Sequence, residues 1–298
     1  MAKPGWNAPD LSGKVAVVTG ASRGVGRGIA AVLGECGATV YVAARSTGQS
    51  AATDGAAGTI EETAALVTSR GGRGIPVRCD CSSFADVEAL FDRVKKGRKG
   101  LDILVNNAWG GYEGYQHGLP FSNYWNSPFE QMWQGMFEAG LRAHMATAHR
   151  AVPLMLKKPG GVIVGTVAWD RGVYLGGQYD VSKHAIVRFL EGLARELRKY
   201  EITAVAVAPG FTRTGRVLDA FKITEEQARD IPQLARSETP EYAGRAIASL
   251  AADPERMAKS GKAFLSGQLA KEYKFTDRDG RKVPPFRLKH SFEELLER

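Results

Sequence analysis

The stretch that most constrains this chain is a short apolar run ending in glycines. Lys14-Val15-Ala16-Val17-Val18-Thr19 is brief, rich in β-branched side chains and closed by glycine, as a strand buried on both faces of a parallel sheet should be. Gly20-Ala21-Ser22-Arg23-Gly24-Val25-Gly26-Arg27-Gly28 follows at once and opens into a helical segment over residues 29–36. Gly20 permits a tight turn, and Gly24 and Gly26 let backbone approach a ligand and helix pack on strand. The free N–H groups of the helix start then suit a pyrophosphate. A plain strand-to-helix connection can also use glycines, but three in register after a strand favour nucleotide binding.

The rest of the chain repeats that unit. Strands are expected over residues 39–43, 74–79, 101–105, 161–166, 202–208 and 262–265, alternating with helices over residues 59–69, 84–96, 129–156, 177–200, 225–230 and 240–252. Thr59-Ile60-Glu61-Glu62 has the look of a capped helix start. The long helix over 129–156 should break or bend near Gly140 or Pro153. Such alternation means right-handed βαβ units in one parallel sheet. The small, polar residues 46–58 read as a flexible surface insertion.

Ligands of open α/β sheets gather at the carboxyl ends of the strands. The second strand ends in Ala44-Arg45, with no carboxylate for ribose hydroxyls, and Arg45 with Arg23 offers two guanidiniums to a 2′-phosphate. NADP(H) is therefore preferred over NAD(H), unless both arginines simply face water. Asp80 ends the third strand, Asn106-Asn107 the fourth, Thr166 the fifth, and Pro209-Gly210-Phe211-Thr212-Arg213-Thr214 follows the sixth. Residues 109–133 are crowded with Tyr112, Tyr115, Phe121, Tyr124, Trp125 and Phe129, which either line an apolar substrate pocket or pack on themselves or on a neighbouring subunit.

On the helix over 177–200, whose apolar positions are Val181, Ile186, Phe189, Leu190, Leu193 and Leu197, Tyr179 and Lys183 are neighbours one turn apart. A phenol normally titrates near ~10, and an ammonium beside it favours the phenolate, which is what acid/base chemistry on carbonyls and alcohols needs. Taken alone, such a pair also occurs on ordinary solvated helix faces.

Composition narrows the remaining classes. The net charge of +8 suits an anionic partner, but much of the basic excess lies after Ala258 without a recognisable nucleic-acid module and reads as a solvated tail. Cys36, Cys79 and Cys81 are odd in number and form no C-x-x-C pair, and the five histidines are scattered, so neither a disulfide framework nor a metal site is expected. No apolar run approaches the ~18 residues that cross a bilayer, and no hydrophobic signal segment opens the sequence; the cytoplasm is the expected address.

Together these residues resemble the short-chain dehydrogenase/reductase family over residues 11–267. Thr19-Gly20-Ala21-Ser22-Arg23-Gly24-Val25-Gly26, Asn106-Asn107-Ala108, Tyr179 to Lys183 in Y-x-x-x-K form, and Pro209-Gly210 stand in the family's order and spacing. Gly140-Leu141-Arg142-Ala143-His144 and Ser237-Glu238-Thr239-Pro240 mark one branch of it. The resemblance implies an α/β fold: a single Rossmann-like, doubly wound parallel sheet of seven strands with helices on both faces, in a homodimer or homotetramer. Residues 1–267 would form the dinucleotide-binding and catalytic domain, and 268–298 a C-terminal extension placed to cover the substrate site or a subunit interface.

The implied chemistry is hydride transfer between a nicotinamide cofactor and a largely apolar carbonyl or alcohol. By resemblance Tyr179 is the acid/base, Lys183 binds the nicotinamide ribose and lowers the tyrosine's pKa, and Thr166 stands where the family has the serine that meets the substrate oxygen. Gly20, Ser22, Arg23 and Val25 fall near the phosphates, Arg45 near the 2′-phosphate, Asp80 and Cys81 near adenine, Asn107 near the ribose, and Thr212 and Thr214 near the carboxamide and pyrophosphate. The family's asparagine falls on Gly140. Enoyl reduction on the same fold, or a catalytically weak dinucleotide-binding scaffold or redox sensor, are the alternatives.

Overall fold

The computed structural model describes residues 5–49, 57–97, 100–111, 124–126, 128–169 and 176–287. Tyr112, Tyr115 and Phe121 of the aromatic stretch, residues 50–56 of the insertion and the end of the basic tail lie outside the described residues.

Seven strands form one parallel sheet in the order β3-β2-β1-β4-β5-β6-β7. They are β1 Val15–Thr19, β2 Thr39–Ala44, β3 Arg73–Arg78, β4 Ile103–Asn106, β5 Val162–Thr166, β6 Thr203–Ala208 and β7 Ala263–Leu265. β1 pairs with β2 on one side and β4 on the other, so the chain reverses its direction of winding beside the glycine turn. That is the crevice where open α/β sheets take their ligands.

The two-residue period of β1 assigns its side chains to opposite layers. Ala16 and Val18 pack with Ile29, Val32 and Leu33 of α1 (Gly24–Glu35), Val67 of α2 (Ile60–Ser69) and Ile247 of α8 (Pro240–Ala252). Val15 and Val17 pack with Leu90 and Phe91 of α3 (Phe84–Gly97), Met155 of α5 (Ala143–Met155), and Ile186 and Leu190 of α6 (Gly177–Leu197). Full burial of such a side chain contributes roughly 1.5–3 kcal/mol, so the layers fix the strand order and hold the strand ends that carry polar groups. The Thr59 start is a complete capping box: its hydroxyl accepts from the Glu62 N–H at 3.1 Å, and the Glu62 carboxylate accepts from the Thr59 N–H at 3.1 Å.

Several elements differ from the sequence expectation. α1 begins at Gly24, so the second half of the glycine turn is already helical. The long helix is interrupted around Gly140, one of the two positions expected, by a change of winding and not by a bend at Pro153: α4 (Phe129–Trp133) passes into a nine-residue π-helix, Gln134–Arg142, and then α5, which accommodates Pro153 near its end. Val181 is exposed, because residues 179, 183, 186 and 190 face inward. The helix expected over 225–230 is only a 3₁₀ turn, Gln227–Asp230, and α7 (Gly215–Phe221) and α9 (Ser266–Tyr273) were not anticipated. Among the described residues, no helix is long and apolar enough to cross a membrane.

After α9 the chain folds back on the body. Phe275 packs edge-on against Trp6 and Tyr242, and the buried Asp277 carboxylate accepts from the Thr239 N–H at 2.8 Å at the start of α8. Further on, Phe286 lies so close to Gly210 that a Cβ there would stand 2.9 Å from the Phe286 Cβ.

Candidate active site

β1 and β4 are bolted together at their carboxyl ends. The Thr19 hydroxyl oxygen accepts from the N–H groups of Asn107 at 3.0 Å and Ala108 at 3.1 Å. The Asn107 amide nitrogen donates to the carbonyls of Thr19 at 3.2 Å and Gly20 at 3.1 Å. Gly20 has φ +62°, and a Cβ on it would stand 2.8 Å from the Ala108 Cα, so backbone conformation and space both demand glycine. Asn107 therefore holds the turn in place. Its carbonyl oxygen accepts from the Thr166 hydroxyl at 3.3 Å, which links the end of β5 to the same junction.

Asn106 faces the other way. Its side chain donates to the His144 carbonyl at 3.1 Å and accepts from the Thr147 hydroxyl at 2.7 Å, tying β4 to α5. His144 is fully enclosed, and burial first, then the nearby Lys183 charge, push its pKa down to about 3 despite a hydrogen bond to the Ala108 backbone. A neutral imidazole therefore backs the site.

Tyr179 and Lys183 are both buried on the inner face of α6, at 5% and 7% exposure, which sets them apart from a solvated surface pair. Burial pulls Lys183 down to about 7. The Trp109 indole meets both. Its plane stands edge-to-face with the Tyr179 ring at 5.7 Å and 81°, and the Lys183 ammonium lies over it, 3.4 Å from the ring centroid. Met132 and Met136 share a small apolar cluster with Tyr179. Trp109, His144 and Asn106 carry no role in the site expected from the sequence; the signals for them are the strand-end Asn106-Asn107 pair, a crowd of aromatics after it, and, for His144, only its place in the segment that marks the family branch.

The residues expected around the cofactor distribute as follows. Gly20, Ser22, Arg23 and Val25 form the turn and the first turn of α1, with Ser22 buried and Val25 packed on the core. A Cβ on Gly26 would collide with the Gly20 carbonyl, and no side chain caps α1, which leaves its first N–H groups to an outside acceptor. Thr214 approaches from across the crevice: its methyl would lie 3.5 Å from a Gly24 Cβ. Its hydroxyl also caps α7, and the neighbouring Thr212 hydroxyl donates to the Gly210 carbonyl at 3.0 Å.

Arg23 donates to the Ser46 hydroxyl at 2.6 Å, so its guanidinium stands just past the end of β2, at the residue that follows Arg45. Arg45 in turn lies close enough to the buried Cys81 to act on its thiol electrostatically, although the thiol's hydrogen bond with Cys79 and its burial hold it well above its usual range. The Cys79 and Cys81 sulfurs are 4.0 Å apart. The Asp80 carboxylate accepts from the N–H and hydroxyl of Ser82 at 3.0 and 2.6 Å, which makes it the pivot of a turn at the β3 end. Gly140 lies within the π-helix, and the Trp109 ring fills the space beside it.

Strand order, glycine turn and the Tyr179–Lys183 helix define a dinucleotide-binding oxidoreductase fold. A model of the family described as short chain dehydrogenase matches residues 14–222, and the chain belongs to the short-chain dehydrogenase/reductase family, whose members bind a nicotinamide dinucleotide and act on small molecules. Dehydrogenase/reductase SDR family member 1 of Mus musculus is 35% identical over 93% of this chain and 87% of its own, and the Homo sapiens protein of that name 35% identical over 94% and 88%. L-sorbose reductase from Gluconobacter frateurii, solved with NADPH and L-sorbose, superposes with a TM-score of 0.71 at 25% identity, covering 87% of this chain and 97% of its own.

Proposed function

We propose that this protein is an NADPH-linked carbonyl reductase, or alcohol dehydrogenase in reverse, that moves a hydride between nicotinamide and a largely apolar substrate. The observation that carries the reading is the burial of Tyr179 with Lys183 beside the β1–β4 crevice. The turn at Gly20 and Gly26, the uncapped start of α1 and Thr214 fit a pyrophosphate, and Arg23 and Arg45 at the end of β2, with no carboxylate among residues 44–46, support NADP(H) over NAD(H). The bound nicotinamide supplies the hydride.

The chain's own residues manage the proton. Tyr179 gives its hydroxyl proton to the oxygen of a carbonyl being reduced and takes one back in oxidation. Lys183 lowers the cost of the phenolate and holds the ribose, and the Thr166 hydroxyl orients the substrate oxygen. The tail at Phe286, lying against Gly210 in the loop after β6, bounds that crevice. The same reading carries a homodimer or homotetramer in the cytoplasm, and the exposed Phe129 and Trp133, stacked at 6.2 Å on one helix, support burial by a second copy.

Tyr179→Phe should lower NADPH-linked turnover on a panel of ketones and aldehydes by about 10²–10⁴-fold while NADPH still binds. Full activity in that variant overturns the assignment. Arg45→Ala should weaken NADPH binding and leave NADH binding unchanged; tighter binding of NADH than NADPH by the wild type overturns the cofactor preference.

A further inference from the structure

We propose that Trp109 is a positioning residue for Lys183, its indole face seating the ammonium against Tyr179, and that Gly140 supplies the space this indole needs. The inference rests on reading Tyr179 and Lys183 as the acid/base pair. It goes beyond that reading by naming what holds the lysine.

Two contacts and a cleared slot fix the indole. The Lys183 Nζ stands 3.4 Å from its centroid, over the face where a π system is most negative, and no carboxylate among the described residues lies within ion-pair distance of that ammonium. The Tyr179 ring meets the same indole edge-to-face, so one side chain sets the relative placement of phenol and ammonium. Two glycines clear its slot. A Cβ on Gly140 would stand 2.7 Å from the indole Cζ3 and 2.8 Å from Cε3, and a Cβ on Gly111 would stand 2.7 Å from Nε1, Cε2 and Cζ2. Real Cβ atoms do not approach that closely, so any side chain at residue 140 moves the ring.

The backbone around the slot is built to the same end. Gly110 and Gly135 touch without side chains between them, a Cβ on Gly110 falling 2.9 Å from the Ala139 Cβ and 3.3 Å from the Gly135 Cα. The π-helix, Gln134–Arg142, is wider than an α-helix and is a conformation that recurs at functional sites; here it carries both Gly135 and Gly140 past the indole. Among the described residues, few titratable groups face Lys183. Tyr179 lies on its own helix and His144, on α5, is held neutral, with its pKa near 3. Glu138 and Arg142 of the π-helix pair with each other at 3.5 Å. The ring therefore opposes the burial that lowers the lysine's affinity for its proton, and it keeps Lys183 charged to a higher pH than burial alone would allow.

The test follows Lys183 itself by NMR of protein labelled with ¹³C at the lysine ε-carbons, its signal assigned from the spectrum of Lys183→Met. In the wild type, the ε-methylene protons should be displaced upfield by the ring current of the indole; ordinary shifts overturn the proposal without any variant. In Trp109→Leu the titration midpoint should fall by about one pH unit, in Trp109→Phe by less, and in Gly140→Ala by nearly as much as in Trp109→Leu, because the indole is displaced. The double variant Gly140→Ala/Trp109→Leu should fall no further than Trp109→Leu. An unchanged midpoint in Trp109→Leu and Gly140→Ala, or a rise as water enters, overturns the proposal. These readouts need no turnover, so an active Tyr179→Phe would remove the acid/base reading and leave the seating of Lys183 to be judged on its own.

Discussion

Glu238 offers a prediction in which pH, stability and the tail meet. Its carboxylate lies fully buried between the loop after β6 and the start of α8, accepting from the Gly210 N–H and, at 2.7 Å, from the Ser266 hydroxyl. Burial is the main cause that pushes it up to about 8; the hydrogen bonds from Ser266 and Gly210 and the charge of Arg213 oppose this, and buried Asp277 adds to it. From the ordinary value of 4.5 to about 8 the fold therefore holds a proton that the unfolded chain has released. Stability must fall as pH rises through that window, at up to ~1.4 kcal/mol per pH unit, which sets a ceiling of about 5 kcal/mol. Glu238→Gln keeps an acceptor for the Gly210 N–H, turns its other end into an amide donor to the Ser266 hydroxyl oxygen, and removes the titration. Reversible urea unfolding at pH 5.5 and pH 8.5 should show variant and wild type nearly equal at the lower pH. At the higher pH the variant should be ahead by at least about 1 kcal/mol, or about 2–4 °C in Tm. Parallel pH profiles for the two proteins would refute the burial argument.

Lys183 carries the opposite sign. The fold releases its proton near pH 7 while the unfolded chain keeps it to 10.5, so the wild type should gain stability as pH rises across that range. Lys183→Met should lack the gain, melt higher than wild type near pH 7, and lose turnover, which calorimetry and an NADPH assay together would show. Gly28→Ala should cost at least about 2 kcal/mol in chemical denaturation, since its Cβ would enter the Pro240 backbone where α1 crosses α8. Thr59→Ala removes one half of a capping box and should cost ~1 kcal/mol with activity unchanged.

The divide between what was legible in the sequence and what was not follows the range of the interactions. The strands could be read within one or two residues because Val15 to Thr19 and Thr203 to Ala208 are buried whole, and burial on both faces leaves a continuous apolar run. The glycine turn and the Thr59 box were equally open, being chemistry between residues a few positions apart. Tyr179 and Lys183 share a face by helix geometry alone, yet nothing local says that the face is buried; the contact with Trp109, seventy residues upstream, does that.

Trp109 and Gly140 are each uninformative in isolation: one is an aromatic in a crowd of aromatics, the other a glycine in a helix where glycine costs about 1 kcal/mol. Only their juxtaposition across the crevice explains both, because an indole needs a slot and a glycine inside a helix needs a reason. Glu238 is hidden the same way, since its carboxylate meets Ser266 and the Gly210 backbone, against which the returning tail at Phe286 lies. Where a residue's role depends on a partner that the fold brings from far along the chain, its identity in the sequence looks commonplace or like a small anomaly: a carboxylate in an ordinary polar stretch, or a glycine spoiling a helix. Such anomalies are the positions to substitute first, because the energetic cost that each imposes on the fold is the measure of what it is retained to do.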